Sequence, residues 1–184
     1  MSNIYVDTSD LEKLMKKFDG FPDQVRASLN NTLNRTINRV KTNTQKEVKK
    51  EYAVNRSIKK VMYDKRSKLS TLTAEVGVTD TRIKMGDFKF SAAQNSQRSP
   101  ITVTIKKSNG AVTSTAQPPL FMGKNQIYHR TPNDPKYKVG WAFTLSIPQM
   151  VSNEEVYQRI ADDAHDFMLK RFEQDITYRI KNMK

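Results

Sequence analysis

The chain has 184 residues, no cysteine, 36% hydrophobic residues and a formal net charge of +13, which fits one domain and excludes disulfides and thiolate metal sites. That excess of Lys and Arg favours polyanionic partners: nucleic acid, an anionic membrane or an acidic protein surface. No apolar run approaches the roughly 18 residues that cross a bilayer, and the acidic start from Met1 to Asp10 is not a signal peptide; the expectation is a protein made in a reducing cytoplasm, without a membrane partner.

In chain order, Ser9 and Glu12 form a capping box for a short helix over 9–18, with Leu11, Leu14, Met15 and Phe18 on one face. Gly20 ends it. Pro22 starts a longer helix with the stripe Val25, Leu29, Leu33, Ile37 and Val40, fading to Thr44 and Val48, and a break is expected near Lys49–Tyr52. Asn55 is read as the cap of a third piece carrying Ile58, Val61 and Met62. From Leu69 the period becomes two: Leu72, Ala74, Val76 and Val78 predict a half-buried strand. Short strand pieces follow at Ile83–Met85 and Phe88–Phe90, then a polar loop over 91–100.

Ile101, Val103 and Ile105 alternate, and Asn109–Gly110 signals a hairpin that, because its second arm AVTSTAQ is so polar, is expected to project from the body. Pro118–Pro119 closes it. A strand is expected at Ile127–His129, with His129–Arg130 at its junction with the loop TPNDP. Trp141, Phe143, Leu145 and Ile147 alternate up to Pro148, with Trp141 read as a core anchor. Ser152 and Glu155 make a second capping box, followed by a helix with Val156, Ile160, Ala164, Phe167, Met168, Phe172, Ile176 and Ile180 at helical spacing. The expected class is α+β: a mainly antiparallel sheet packed by N-terminal and C-terminal helices, in a single domain 1–184. Its parts are a basic helical segment 1–68, a β-rich segment 69–148 and a C-terminal helix 149–184.

Enzyme signatures are missing. There is no GxxxxGK[ST], GxGxxG or GxSxG, and the two histidines, His129 and His165, lie in no metal motif. Asp162, Asp163 and Asp166 fit a solvated helix face or a joint with a basic patch of a neighbouring copy better than a metal site. No cofactor, metal or small-molecule substrate is expected.

Charge is concentrated: residues 24–68 sum to +10, whereas residues 141–184 sum to −1. With Leu33 at zero on a wheel of about 100° per residue, Leu29, Ile37, Val40 and Thr44 fall within about 40°, and Arg35, Arg39, Lys46 and Lys50 between about 200° and 260°. Arg56, Lys59, Lys60, Lys65, Arg66 and Lys68 extend the positive charge. The stripe suits phosphates, or is simply a solvated face; its few aromatics, Tyr52 and Tyr63, disfavour base stacking.

The segment FPDQVRASLNNTLNRTINRVKTNTQKEVKKEYAVNRSIKK at 21–60, with the pairs Asn34–Arg35 and Asn38–Arg39, is followed by AEVGV, IKMGDFKF, TLSIPQMV and a last helix ending DITYRIKNMK. This order resembles the minor tail protein Z family of lambda-like phages and prophages. The likeness covers most of the chain and departs around QPPLFMGKNQIYHRTPNDP. The resemblance implies a virion protein of the tail or neck that completes tails and makes head–tail junctions. Its implied partners are further copies of itself in a ring, tail-tube or connector proteins, and the DNA at the conduit. Two other readings stand beside it: a protein binding the DNA backbone without sequence preference and, more remotely, a metal-dependent nuclease.

Overall fold

A computed structural model describes residues 2–4, 9–79, 82–91, 100–115, 120–124, 126–130 and 138–183. The polar loop expected over 91–100, the Pro118–Pro119 step and the TPNDP loop fall largely outside these residues.

The class is α+β, with helices at both ends and antiparallel strands between them. Helix α1 (Ser9–Lys16) is followed by a turn through Gly20 and by α2 (Pro22–Glu51), thirty residues without a break. Pro22 sits in the first turn of α2, where its missing N–H costs nothing. Tyr52 stops the helix in an extended conformation, within the stretch where a break is expected.

The strands are β1 (Ser2–Asn3), β2 (Met62–Lys65), β3 (Glu75–Val78), β4 (Arg82–Lys84), β5 (Lys89–Ser91), β6 (Thr102–Thr104), β7 (Val112–Thr113), β8 (Phe121–Gly123), β9 (Gln126–Arg130), β10 (Val139–Trp141) and β11 (Phe143–Ser146). Among the described residues they form four small antiparallel sheets rather than one: β1-β3-β2, β5-β6-β7, β10-β9-β8 and β11-β4. Helices α3 (Ile147–Val151) and α4 (Glu154–Lys181) complete the fold.

Several expectations are corrected. Asn55 caps no helix: its N–H donates to Asp87 O, one 3₁₀ turn covers Lys59–Val61, and Met62 already opens β2. The strand expected from Leu69 begins only at Glu75, because a turn at Lys68–Leu72 intervenes and Leu72 has a φ of 47°. The alternation before Glu75 is overridden by side chains of α2 that hold this segment: Arg26 donates to Leu69 O, and Asn34 bonds both the N–H and the carbonyl of Ser67.

The hairpin at 101–113 exists, but its first arm is not projected. Val103 is buried, β6 lies between β5 and β7, and a 3₁₀ turn over Lys107–Asn109 with Gly110 at φ 68° replaces a two-residue turn. Only the second arm is open, with Val112 60% exposed. Trp141 does not anchor the core. Trp141 and Phe143 point outward and Ala142 points inward at 4% exposure, the reverse of the expected sense. Pro148 is not simply a stop: Ser146 caps α3 in a capping box with Gln149. Ser152 then closes α3, and Asn153, one residue later than expected, accepts from Val156 N–H to cap α4.

Helices α2 and α4 run antiparallel along most of their lengths, and their pairing organises the molecule. Contacts of Asn31 with Asp175, Arg39 with Asp163 and Glu47 with Arg159 mark the opposed directions. On α4, Val156, Ile160, Ala164, Met168, Phe172 and Ile176 are all buried, a strict four-residue row of the kind that packs into a neighbour's groove. Phe167, by contrast, is only half-buried. On α2, Val25 and Leu29 pack with α1 and α4, Ile37, Val40 and Val48 join the cluster that includes the strands, and Ser28, Thr32 and Thr36 are buried beside them. Short side chains there permit the close approach of a second helix.

Two apolar clusters result. The larger joins the second half of α2 to α3, the first half of α4 and inward residues such as Val78, Ile83, Phe88 and Ile127. The smaller holds Leu11, Val25, Leu29, Met168, Phe172 and Ile176, and fastens α1 to the far end of the helix pair.

On the middle strand β3, Gly77 lies opposite Tyr63 of β2. A Cβ there would collide with Tyr63 Cζ, so the phenol covers this position and any larger residue would push it aside. The ring oxygen reaches Glu75, which also accepts from Lys65 at 2.8 Å.

Candidate functional site

The basic surface is built on α2. With Leu33 again at zero, the buried residues Ser28, Thr32, Thr36, Asn43 and Glu47 occupy an arc between about 220° and 320°, next to the apolar arc. The arc expected to be basic is therefore half covered. Arg39, within that arc, forms two hydrogen bonds to Asp163, at 2.8 and 2.5 Å, and lies 5.8 Å over the Phe167 ring. Asp163 raises the Arg39 pKa above its ordinary value, first through the hydrogen bond and then through its charge. Arg39 and Asp163, read from the sequence as a phosphate contact and as an oligomer contact, thus satisfy each other within one chain.

The remaining predicted cations divide. Arg35, Lys46 and Lys60 are exposed. Lys50 is exposed, with Glu47 3.8 Å away. Lys59 is exposed and donates to Thr42 at 3.1 Å, which lays it along α2. Arg56 is half-buried and already engaged.

Beside α2, the segment after β2 is clamped by Arg26, Asn34 and Asn38, and this brings Lys65, Arg66 and Lys68 to the flank of the helix. An open groove of about 740 Å³ between Ile4, these three cations, Thr71, Thr73, Ala74 and Glu75 lies there. Lys107 adds a cation at the C-terminal end of α2, donating to Lys49 O at 2.7 Å, where the helix dipole favours positive charge.

Two acids temper the surface. Lys41 sits 2.5 Å from Asp64 and, with Arg66, holds its carboxyl below the usual range. Lys65, by its hydrogen bond, does the same for Glu75. Both folded-state pKa values are depressed, so the unfolded chain binds more protons and stability rises with pH. This stabilisation is complete above the ordinary carboxylate range near ~4 and is lost as pH falls through the depressed values. Urea midpoints between neutral and strongly acidic pH test this: Asp64→Asn lowers the midpoint at neutral pH and converges with the parent chain in acid. A constant difference at every pH contradicts it.

Asp162, Asp163 and Asp166 do not converge. Asp162 accepts from Gln158, Asp163 from Arg39, and Asp166, 86% exposed, lies 3.6 Å from His165. Among the described residues no three His, Asp or Glu are grouped to hold a metal ion. His129 stacks on Gly140, where a side chain would meet its ring, and has its Nδ1 3.4 Å from Arg130 O. No helix among the described residues is long and apolar enough to cross a membrane.

Sequence reasoning missed two groupings. One is a charged network in which Arg159 meets Glu47 at 2.8 Å, Glu51 at 3.5 Å and Glu155 at 4.0 Å, with Lys106 on Glu51 at 3.3 Å. Its signal was Glu47, an acid amid the lysines of α2 at the border of the apolar stripe. The other is the row Phe121, Tyr128 and Trp141 across β8, β9 and β10. Strand register aligns those rings, and nothing in sequence spacing reveals it.

No protein-family model, curated protein or solved structure matches the chain.

Proposed function

We propose that this protein is a structural tail-completion subunit of a tailed phage or prophage, acting without catalysis in tail assembly and head–tail joining. The observation that carries the reading is the segregation of charge on a helix-paired body. Arg35, Lys46, Lys50, Lys59 and Lys60 are exposed on and beside α2, and Glu155, Asp162, Asp166 and Glu173 are exposed on α4. The resemblance over 21–60 and in the closing helix supplies the phage context. Virion and host cytoplasm follow as the places where such a subunit works and is made. Cosedimentation with isolated tail tubes or connectors tests it: the protein pellets with the tubes in fixed proportion.

A second reading, direct contact with the DNA backbone, is favoured by the exposure of Arg35, Lys46, Lys50 and Lys60 with no aromatic among them. Binding of this kind is salt-dependent and blind to sequence. Replacing the four by Ser reduces the slope of log K against log salt by about 3 to 4, since each neutralised phosphate contributes about 0.9. Duplex titration at several salt concentrations measures it, and an unchanged slope rejects this surface as the contact.

A further inference from the structure

One face of β10-β9-β8 is neither core nor plain polar surface. Phe121, Tyr128 and Trp141 stand directly opposite one another on adjacent strands. Their ring centroids are 5.7 and 4.7 Å apart, with planes inclined by 23° and 29°. Lys84 Nζ lies 3.5 Å from the centre of the Trp141 ring, and the Arg130 guanidinium 5.6 Å from that of Phe121. By the two-residue period of a strand, Val139 and Phe143 share the outward direction of Trp141, at 53%, 47% and 37% exposure. The described residues of 82–84, 120–130 and 138–146 include Arg82, Lys84, Lys124, Arg130 and Lys138 and no carboxylate.

A grouping of exposed Trp and Arg with half-buried Tyr and Phe has the composition of protein interfaces. Bases require an open ring face, whereas here the rings face one another and Lys84 covers Trp141. The partner must instead offer carboxylates along a firm surface, and the chain carries such a surface. On α4, Glu155, Asp162, Asp166 and Glu173 are all exposed and lie within about 40° of Asp162 on the helical wheel. They form an acidic stripe about 27 Å long at 1.5 Å per residue, bordered at one end by Arg159, which lies 4.0 Å from Glu155.

We propose that the aromatic–cation face of β4 and β8–β11 seats the acidic stripe of α4 from a second copy of this chain. The contact is heterologous, so it closes into a ring or extends as a filament. It rests on the reading of the protein as a self-assembling subunit, and names the joint.

Two full-length variants test it. Arg82→Glu with Lys124→Glu places two carboxylates on the sheet face, and Asp162→Lys with Asp166→Lys places two ammonium groups in the helix stripe; all four positions are exposed. Each variant alone is expected to sediment as a monomer at physiological salt, with the circular dichroism of the parent. Their equimolar mixture assembles again in alternation, because the introduced carboxylates then meet the introduced lysines and the remaining joints are those of the parent. Trp141 is the only tryptophan, so its emission shifts to shorter wavelength with assembly in the parent and the mixture, and in neither variant alone. Either variant assembling as the parent does overturns the joint while leaving a self-assembling subunit intact. A parent chain that stays monomeric at its highest soluble concentration also overturns the joint; the tail reading is then judged separately by the tube experiment. Trp141 quenching by an oligonucleotide in a chain that does not self-associate overturns it in favour of a nucleic-acid surface.

Discussion

Replacing Phe172 by Ala is expected to cost about 3–5 kcal/mol of global stability and to free the N-terminal helix selectively. Phe172 is fully buried and meets Phe18 edge to face, with centroids 6.5 Å apart and planes at 70°. It belongs to the small cluster in which Leu11, Leu14, Met15 and Phe18 fasten α1 to the helix pair. Eight residues of helix are not stable alone in water, so α1 persists only while that cluster is intact. The urea midpoint measures the global loss. Hydrogen exchange over Ser9–Lys16 measures the local one, and those amides are expected to lose protection before the rest of the chain. Phe172→Leu keeps most of the apolar volume and is expected to cost less than half as much. Protection of α1 that survives Phe172→Ala would show that other contacts hold it.

Arg159→Leu has the second largest expected effect, about 3 kcal/mol, because it strands Glu47. The Glu47 side chain is 8% exposed, and its partners are Arg159 at 2.8 Å and Lys50 at 3.8 Å. Removing Arg159 leaves a nearly buried carboxylate with one distant, solvated cation. Glu51 keeps Lys106 at 3.3 Å and suffers less. Removing the acid as well, in Glu47→Leu with Arg159→Leu, is expected to recover most of the loss, since a buried ion pair and an apolar pair of similar volume differ little in net stability. A double-mutant cycle read from urea midpoints checks this. Additive losses would mean that the two charges are independently solvated. By contrast Arg39 with Asp163, at 49% and 28% side-chain exposure, is worth about 0.5–1 kcal/mol even in its two-bonded geometry.

The parts legible in the sequence are those where one periodicity runs unopposed. Pro22 at the start of α2 and the row from Val156 to Ile176 could be read directly, because a long helix repeats its burial many times. Short strands repeat it only two or three times. Leu72 and Ala74 alternate correctly with Val76 and Val78, yet hydrogen bonds from Arg26 and Asn34 turn the chain before Glu75. Trp141, Phe143 and Leu145 alternate too, but alternation cannot say which side faces the core, and Ala142 is the residue that does.

The candidate site was legible to the same degree. A wheel finds Arg35, Lys46 and Lys50 opposite the apolar arc. It cannot find the second buried arc of Ser28, Thr32 and Thr36, since small polar residues carry no apolar signal; only the packing of α4 explains them. That packing also takes Arg39 out of the basic face and Asp163 out of the acidic one. What remains is a sharper separation: exposed cations beside α2, a cationic aromatic face on the strands, and an acidic stripe on α4.

Electron microscopy of tail tubes, alone and after incubation with the purified protein, tests the structural role most directly. The account predicts added density at one end of the tubes, in a fixed number of copies and sensitive to salt. Bare tube ends, together with a chain that stays monomeric and is absent from purified virions, would contradict it.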